Sequence, residues 1–428
     1  MRLAFVILLF LTSSTLAQDI TLWTWALKPR FDPLIRQTIA DFEQQNPGVR
    51  VEWIDVPGEA IDRKLFSAAA AGQLPDVINL PDKAFVRFAQ LGAFKPLDAI
   101  LPGDPDKQYV AGALSGCRFD GKLMGVPWYL SNEIAVINVT LLEQGGLTLD
   151  VTTSNSVGSN ALGRDWKTLR TQAPEFHRKT GKFLFMTRLG EIDLLGQIVA
   201  EDLLPIVPHA EGGFQSNLTK DSRIVSLMKE WVELYRSGAM PRESATGTYP
   251  DLVQAFKEER VAVVNANLVR VIQRDAPELF ARIVPRPAIV GAKNVGNLSS
   301  VMLGVSSQSK HPELAAKLLW HMTTPKYQEE LALLASRLPS TIASMNSPRF
   351  APTAPDALSQ ATALSMRELP KSMSFVQPTG TWPDLEKIFG EGMKRALLSD
   401  VPAEKALTDI EAEWDRILRA DAKGLSWK

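Results

Sequence analysis

The chain has 428 residues, of which 45% are hydrophobic and 22% charged, so it can form two or three globular domains with large buried cores. Its 47 basic and 48 acidic residues nearly cancel, which gives no reason to expect a nucleic acid or an anionic membrane surface as a partner. The only cysteine, Cys117, cannot form an internal disulfide, so we expect the stability to come from the cores.

Residues 1–17 show the pattern of a cleaved export signal. Arg2 precedes an apolar run at residues 3–11, and a polar stretch then ends in the small residue Ala17. The apolar run is too short to span a bilayer, and Gln18 stands where a lipid anchor would need a cysteine. We therefore expect a periplasmic protein that is neither a lipoprotein nor stably inserted in a membrane.

The segment from residue 20 to residue 97 alternates between strand and helix patterns. Alternating or continuous apolar residues predict strands, and apolar residues at helical spacing predict the helices between them. The predicted strands are residues 20–25, 49–53 and 75–78, and the predicted helices lie near 35–45, 60–71 and 85–91. This order favours a parallel, doubly wound sheet, whose ligands bind at the carboxyl ends of the strands.

Beyond residue 139 the pattern becomes mainly helical. A Ser-, Thr-, Asn- and Gly-rich stretch at 148–163 predicts a surface loop, and a proline-rich stretch at 346–355 predicts a linker. Further strands are predicted at 261–264, 283–284 and 301–305. Further helices are predicted at 166–177, 191–204, 222–237 and 249–259. Two more helices begin at Pro312 and Pro325, and an apolar stripe at 406–417 predicts the last one.

Motifs for catalysis or metal binding are incomplete. Residues 116–122 nearly match a phosphate-binding loop, but Leu123 replaces the Ser or Thr that would hold magnesium, and Pro127 prevents the helix that should follow. We interpret this stretch as a turn between strands. The four histidines are too far apart for a local metal motif, and the acidic pairs lack a spacing that would put both carboxylates on one helix face. We therefore predict no catalytic residue, no metal ligand and no cofactor.

Several segments, taken in order, resemble the extracellular solute-binding proteins of ABC importers, specifically the large sugar-binding group known as family 1. The segment GQLPDV at 72–77 resembles the end of the family's second helix, and FDGKLMGVPW at 119–128 is similar to its "G-K-x-x-G-V-P-aromatic" signature. Residues 231–238 and 255–264 match the "W-x-x-L-x-x-x-G" and "A-F-x-x-G-x-x-A-M" patterns in part. The stretch SKHPELAAKLLW at 309–320, followed by RLPS at 337–340, carries the most specific likeness.

The resemblance implies an α/β fold of the type II periplasmic-binding kind, with two lobes joined by crossover strands. The expected division is a signal peptide at 1–17, lobe 1 at 18–131 plus 296–344, and lobe 2 at 132–295 plus 345–428. The implied function is capture of a carbohydrate between the lobes by a monomer that delivers it to the permease subunits of an ABC transporter. Two departures concern the site: residues 265–268 lack the family's ligand-stacking tryptophan, and residues 298–300 replace its tandem glycine.

Sugar recognition needs flat apolar surfaces for the ring faces and polar side chains for the hydroxyls, and ten tryptophans suit that chemistry. The aromatic candidates are Trp25, Trp128, Tyr129 and Trp382, each of which could equally be a core residue, whereas Trp23 is the better candidate for the core. The polar candidates are placed by their positions in loops and at strand ends: Glu59, Asp82, Asn132, Asn265, Asn267, Asn297 and Arg337. Asp82 could instead cap a helix.

Two other functions stay open on the sequence. The chain could bind a non-sugar solute such as a glycerol phosphate, a polyamine or a peptide, and Lys83 and Arg337 permit a phosphorylated ligand without indicating one. A secreted carbohydrate-active enzyme is the second alternative, and it would be distinguished by release of product from the sugar that it binds.

Overall fold

The computed structural model describes residues 18–149, 160–190 and 193–421. The predicted export signal and most of the predicted loop at 148–163 lie outside these residues. The strands, β1 to β15 in chain order, are Gln18–Trp25, Val49–Val56, Val77–Pro81, Arg118–Phe119, Lys122–Leu123, Val126–Asn132, Ile134–Asn138, Phe183–Met186, Ile206–Pro208, Phe214–Ser216, Val261–Asn265, Ile283–Pro287, Gly296–Val305, Leu338–Pro339 and Ser372–Met373.

The helices include several that begin with proline in their first turn, where its missing N–H costs no hydrogen bond. In chain order, α1 to α18 are Asp32–Gln45, Ile61–Ala70, Asp82–Gln90, Pro105–Gln108, Ala111–Ser115, Val139–Gln144, Trp166–Thr180, Asp193–Ala200, Ser222–Arg236, Tyr249–Lys257, Val269–Asp275, Pro277–Phe280, Pro312–Met322, Pro325–Ala335, Ile342–Met345, Ala357–Glu368, Trp382–Leu398 and Ala403–Asp421. Short 3-10 turns lie at Gly58–Ala60, Arg242–Ala245, Pro348–Phe350 and Leu369–Lys371.

The larger sheet has the strand order β14-β6-β13-β3-β1-β2, with β15 pairing to β13. Strands β1, β2 and β3 are parallel, as the alternating pattern predicts, and their carboxyl ends lie at one edge of the sheet. Strand β13 runs antiparallel to both β3 and β6, so the complete sheet is mixed rather than parallel throughout. The long crossover that brings β13 into this sheet could not be inferred from local periodicity.

The smaller sheet has the order β12-β7-β11-β8 and belongs to the second half of the chain. Strands β8 and β11 are parallel to each other, and β7 is antiparallel to β11 and β12. Strand β7 begins only two residues after β6 ends, so the chain passes directly from the larger sheet to the smaller one at residue 133. The two sheets form the two lobes of the α/β fold that the sequence predicts.

The two lobes have separate hydrophobic cores. The core around the larger sheet contains Phe42, Phe85 and Trp128, whereas the core of the second lobe contains Trp231 and Trp414. Each of these two clusters takes its residues from one lobe, whereas a smaller cluster joins residues of lobe 1 to Phe350 and Leu369. The two larger clusters support our proposal that lobe 1 is 18–131 plus 296–344 and lobe 2 is 132–295 plus 345–428, except that β15 and the residues of the smaller cluster after 345 are joined to lobe 1.

Local expectations differ from the structure in a few places. The helix predicted at 191–204 is the shorter α8, and the predicted linker at 346–355 includes the turn Pro348–Phe350. The near match to a phosphate-binding loop is a hairpin of β4 and β5, and Asp120 and Gly121 at its tip have positive φ angles of 48° and 75°. Among the helices within the described ranges, none has the length and apolarity needed to cross a bilayer.

Candidate functional site

A cavity between the lobes lies at the carboxyl ends of parallel strands from both sheets. Asp82 and Lys83 follow β3 of lobe 1, Thr187 and Arg188 follow β8 of lobe 2, and Asn265 is the last residue of β11. The empty space between the lining residues, including the part that opens to solvent, is about 1000 Å³. The cavity therefore has the position that the strand order predicts for a ligand.

Asp82 forms part of the lobe 1 wall and begins α3. Its Oδ1 accepts a hydrogen bond from the Lys83 amide at 2.8 Å, and its Oδ2 accepts one from the Ser300 amide at 3.3 Å. Burial raises the pKa of Asp82, and the two amide hydrogen bonds and the charge of Lys83 oppose that shift. The capping alternative is wrong, because the N-cap of α3 is Pro81 and Asp82 is its first helical residue; Asp82 instead lines the cavity.

Glu133 occupies the one position between β6 and β7, where the chain crosses from lobe 1 to lobe 2. Its Oε2 accepts a hydrogen bond from Asn265 Nδ2 at 2.7 Å, and Asn265 Oδ1 accepts one from the Ile289 amide at 2.8 Å. Burial and, secondarily, the charge of Asp193 raise the pKa of Glu133 to about 8, although Arg188 opposes the shift. At neutral pH this carboxyl is therefore mostly protonated and can donate a hydrogen bond.

The charged residues of the lobe 2 wall are paired within the protein. Asp193, the first residue of α8, accepts hydrogen bonds from Thr187 Oγ1 at 2.6 Å and from the Arg188 amide at 2.7 Å. Arg188 Nη2 also lies 3.2 Å from Asp193 Oδ1. These contacts fasten the start of α8 to the end of β8 and leave no net charge from this pair on the wall.

Aromatic side chains form another part of the lining. Trp166 and Trp382 are buried, with exposed fractions of 5% and 2%, and Phe375 is half-buried. The indole Nε1 of Trp382 donates a hydrogen bond to Glu386 Oε1 at 3.0 Å, which holds the indole ring in place beside the cavity. A ligand with apolar faces would meet ring surfaces here, while the amides and carboxyls around them remain for its polar groups.

Four of the residues predicted from the sequence are brought together in this lining: Asp82, Asn265, Asn297 and Trp382. The rest of the lining was not predicted from the sequence. It includes Lys83, Glu133, Arg188, Asp193, Gln197, Phe375 and Glu386. One of them carried a visible signal: Glu133 is the single charged residue in the otherwise apolar or neutral stretch 126–138.

Trp128 is a core residue, which corrects the prediction that its ring faces a ligand. It is 2% exposed and packs within the core of lobe 1, because its position in β6 points inward between the sheet and its helices. Asn132 is also buried, and its Nδ2 donates to the Ser365 carbonyl at 2.9 Å across the connection between the lobes. Its Oδ1 has no hydrogen-bond partner within the described part of the chain.

The remaining predicted residues lie outside the cavity lining. Trp25 is half-buried at the end of β1, where its amide donates to Asn79 Oδ1 at 3.1 Å and its indole lies against Gly58. Glu59, Asn267 and Arg337 are exposed, although Asn267 Nδ2 contacts Ser365 Oγ at 3.4 Å.

Arg337 affects the pKa values of tyrosines of both lobes. Burial raises the pKa of Tyr129 in lobe 1 to about 12 and also raises that of Tyr249 in lobe 2, and the charge of Arg337 lowers both values. The charge of Arg337 therefore acts on one tyrosine of each lobe, although Arg337 does not line the cavity.

No group of three or more His, Cys, Asp or Glu residues that could hold a metal ion occurs within the described ranges. The acidic residues of the cavity are instead engaged by backbone amides, Asn265, Arg188 and Lys83.

A family model decides where the chain belongs. Residues 28–329, more than two thirds of the chain, match the model described as "Bacterial extracellular solute-binding protein". The chain belongs to this family. A Brucella abortus protein named as a binding protein is 26% identical over 145 residues, and that match covers 34% of this chain and 35% of the relative. The match therefore spans only about a third of that relative's length.

Solved structures show the same fold. A protein from Synechococcus sp. MITs9220, named as an oligosaccharide periplasmic-binding protein, superimposes with a TM-score of 0.79 at 24% identity and covers 94% of this chain and 100% of its own. The sugar-binding protein MalE from Xanthomonas citri superimposes with a TM-score of 0.76 at 20% identity and covers 94% and 98%. These likenesses support the two-lobed periplasmic-binding fold that the sequence predicts.

Proposed function

We propose that this protein is the substrate-binding component of an ABC transporter and captures a carbohydrate in the cavity between its lobes. The observation that carries the proposal is the composition of the cavity lining. Aromatic surfaces stand beside neutral amides, and both cations of the lining are already paired with carboxylates of the protein. A neutral polyhydroxylated ring suits such a lining, because its faces are apolar and its hydroxyls both donate and accept hydrogen bonds.

The pairing of charges argues against the non-sugar alternatives. Lys83 and Arg188, the cations of the lining, are bound to Glu386 and Asp193, so a glycerol phosphate would have to break an existing ion pair. A polyamine would need several unpaired carboxylates, whereas Glu386 and Asp193 are bound to cations and burial raises the pKa of Glu133, which leaves Asp82. The names of the Synechococcus and Xanthomonas proteins, which refer to oligosaccharide and sugar binding, point to the same ligand class.

The proposed cycle needs no chemical step in this protein. The closed form that holds the sugar docks on the permease subunits, and opening of the lobes releases the sugar to them. We propose that the mature protein acts as a monomer in the periplasm, without a lipid anchor, a metal or a catalytic residue. The protein is exported if residues 1–17 act as the signal that their pattern predicts.

Thermal unfolding of the protein lacking residues 1–17, against a panel of mono- and oligosaccharides, spermidine and glycerol 3-phosphate, tests the ligand class. We expect at least one neutral sugar to raise the melting temperature, and neither charged compound to do so. A rise with spermidine or glycerol 3-phosphate and with no sugar would refute the carbohydrate assignment. Chromatography of the bound sugar after prolonged incubation should recover it intact, and recovery of a product would establish an enzyme instead.

A matched pair of variants locates the site. Asp82→Asn keeps an acceptor for the Lys83 amide but removes the carboxylate from the wall, so we expect about tenfold weaker sugar binding by calorimetry. Asp400→Asn changes an exposed carboxylate far along the chain and should bind as the parent does. Equal affinities for both variants would place the ligand elsewhere.

A further inference from the structure

One contact between the lobes lies beside the cavity, between α3 of lobe 1 and α17 of lobe 2. Lys83 Nζ is 2.5 Å from Glu386 Oε2, and one helical turn further Arg87 Nη2 is 3.0 Å from Asp384 Oδ2. Both cations belong to α3 and both carboxylates to α17, so the two ion pairs join the lobes side by side. We call these residues, together with Gly380 and Gln90, the α3–α17 clasp.

The backbone at Gly380 completes the clasp. Arg87 Nε donates a hydrogen bond to the Gly380 carbonyl at 3.2 Å, and the Gly380 amide donates to Gln90 Oε1. A Cβ atom at position 380 would lie 2.4 Å from Gln90 Oε1 and 3.0 Å from Arg87 Cα. A side chain at position 380 would therefore displace the Gln90 side chain and crowd the backbone of α3 at Arg87.

Glu386 is satisfied on both oxygens in this arrangement. Its Oε1 accepts a hydrogen bond from Trp382 Nε1 at 3.0 Å, while its Oε2 faces Lys83. The Glu386 side chain is 14% exposed, so separating α3 from α17 would leave a mostly buried carboxylate without its cation until water enters. The closed arrangement is thus stabilised by contacts that the protein supplies itself.

We propose that the α3–α17 clasp holds the lobes closed in the absence of ligand. This proposal rests on the proposed function only because it takes the adjacent cavity as the ligand site. The closure of the lobes itself involves protein groups alone. A protein whose lobes are closed before the ligand binds offers it a pre-formed site. When only a small fraction of the molecules is closed, each further tenfold loss of that fraction weakens the apparent affinity about tenfold. Lys83, Glu386 and Gly380 would then set affinity without any need to touch the sugar.

Two perturbations release the clasp by different means. Lys83→Met removes one cation and keeps much of the side chain, whereas Gly380→Ala introduces a steric clash only where α3 meets residue 380. Lys107→Met is the matched control, because Lys107 forms an exposed ion pair with Asp104 inside lobe 1. The exchange Lys83→Glu with Glu386→Lys reverses the ion pair and tests whether the pairing, and not one particular residue, maintains closure.

Spin labels on Arg63→Cys in lobe 1 and Arg270→Cys in lobe 2 report the distance between lobes by electron double resonance, with no sugar added. Both native side chains are exposed, and Cys117 is buried and should stay unlabelled. We expect the doubly labelled parent and the Lys107→Met control to share one distance distribution. Lys83→Met and Gly380→Ala should each move at least half of the population to a different, more open distance, and the charge exchange should recover the parent distribution.

The proposal is overturned if Gly380→Ala and Lys83→Met show the same distribution of label distances as the parent. This includes the case in which the parent without ligand is already open. Circular dichroism and thermal unfolding of each variant establish that its lobes are folded. If Lys83→Met is unstable, Gly380→Ala still tests the proposal, because it changes no charge. Because the measurement contains no ligand, a negative sugar screen refutes the proposed function and leaves this result unaffected.

Discussion

Replacing Glu133 by glutamine should remove a pH-dependent loss of stability that the position of this carboxyl creates. Glutamine has nearly the same shape as protonated glutamate, and its carbonyl oxygen can still accept the hydrogen bond from Asn265 Nδ2. It has no proton to lose. The variant therefore mimics the protonated form of Glu133 at every pH.

The magnitude follows from the raised pKa. The ordinary glutamate pKa is 4.5, and burial raises that of Glu133 to about 8 in the folded protein. Between these values the folded protein keeps a proton that the unfolded chain has released, so stability falls as pH rises and levels off above pH 8. At about 1.4 kcal/mol per pH unit, the full loss is about 5 kcal/mol. For a chain of this size, an unfolding entropy of about 2 cal/mol/K per residue converts the loss into about 6 °C of melting temperature.

Calorimetric unfolding of the parent and Glu133→Gln at pH 5, 7 and 9 measures this effect. We expect nearly equal melting temperatures at pH 5 and a difference in favour of the variant that grows to several degrees at pH 9. The difference between the two melting temperatures at each pH cancels the effect of the titratable groups that both proteins share. Glu143→Gln, at an exposed position on α6, should follow the parent at every pH. A difference that stays constant with pH, or that favours the parent at pH 9, would refute the reasoning.

Three further predictions concern packing and reactivity. Trp128→Ala should lower the free energy of unfolding in urea by about 3–5 kcal/mol, because the Trp128 side chain is 2% exposed. Trp25→Ala, at the half-buried end of β1, should lower it less, and a larger decrease for Trp25→Ala would contradict the place of Trp128 in the core. Gly392→Ala should cost about 1–3 kcal/mol in the same assay, since its Cβ would lie 2.4 Å from Ile410 Cγ1 in α18. Gly196→Ala in α8 is the control for replacing a helical glycine, because the nearest atom to its Cβ would be Phe375 Cδ2 at 3.8 Å, an ordinary contact. Cys117 should not react with a thiol reagent until the protein unfolds, because its thiol is buried and burial raises its pKa; fast labelling of the native protein would contradict this.

The parts of the fold that follow local rules were predicted from the sequence. Alternation of strand and helix patterns over residues 20–97 predicts β1 to β3 and the helices between them, and the structure confirms their parallel pairing. Proline at the start of α13 and α14 and the turn at Asp120 and Gly121 are also confirmed, because these residues restrict the backbone regardless of distant contacts. The family resemblance is confirmed by the match over residues 28–329.

The site was predicted only in part. Asp82, Asn265 and Asn297 could be proposed because strand ends and loops carry polar residues for a reason that is visible locally. Lys83 and Glu386 come together across the cleft from positions 303 residues apart, so no spacing in the sequence relates them. Trp128 and Trp382 are both buried tryptophans, yet only Trp382 lines the cavity, since burial depends on which neighbours a ring meets.

The sequence by itself determined the strands and helices of residues 20–97, the lack of a complete catalytic or metal motif in the sequence, and the family. These properties rest on periodicity, on residues with restricted backbones and on short motifs, all of which act over a few neighbouring residues. Only the tertiary structure decided that Glu133 sits at the crossing between the lobes, that the charges of the cavity are paired and that α3 meets α17 at Gly380. The contacts of Glu133 with Asn265 and of Lys83 with Glu386 join residues more than a hundred positions apart, so they exist only after the chain has folded.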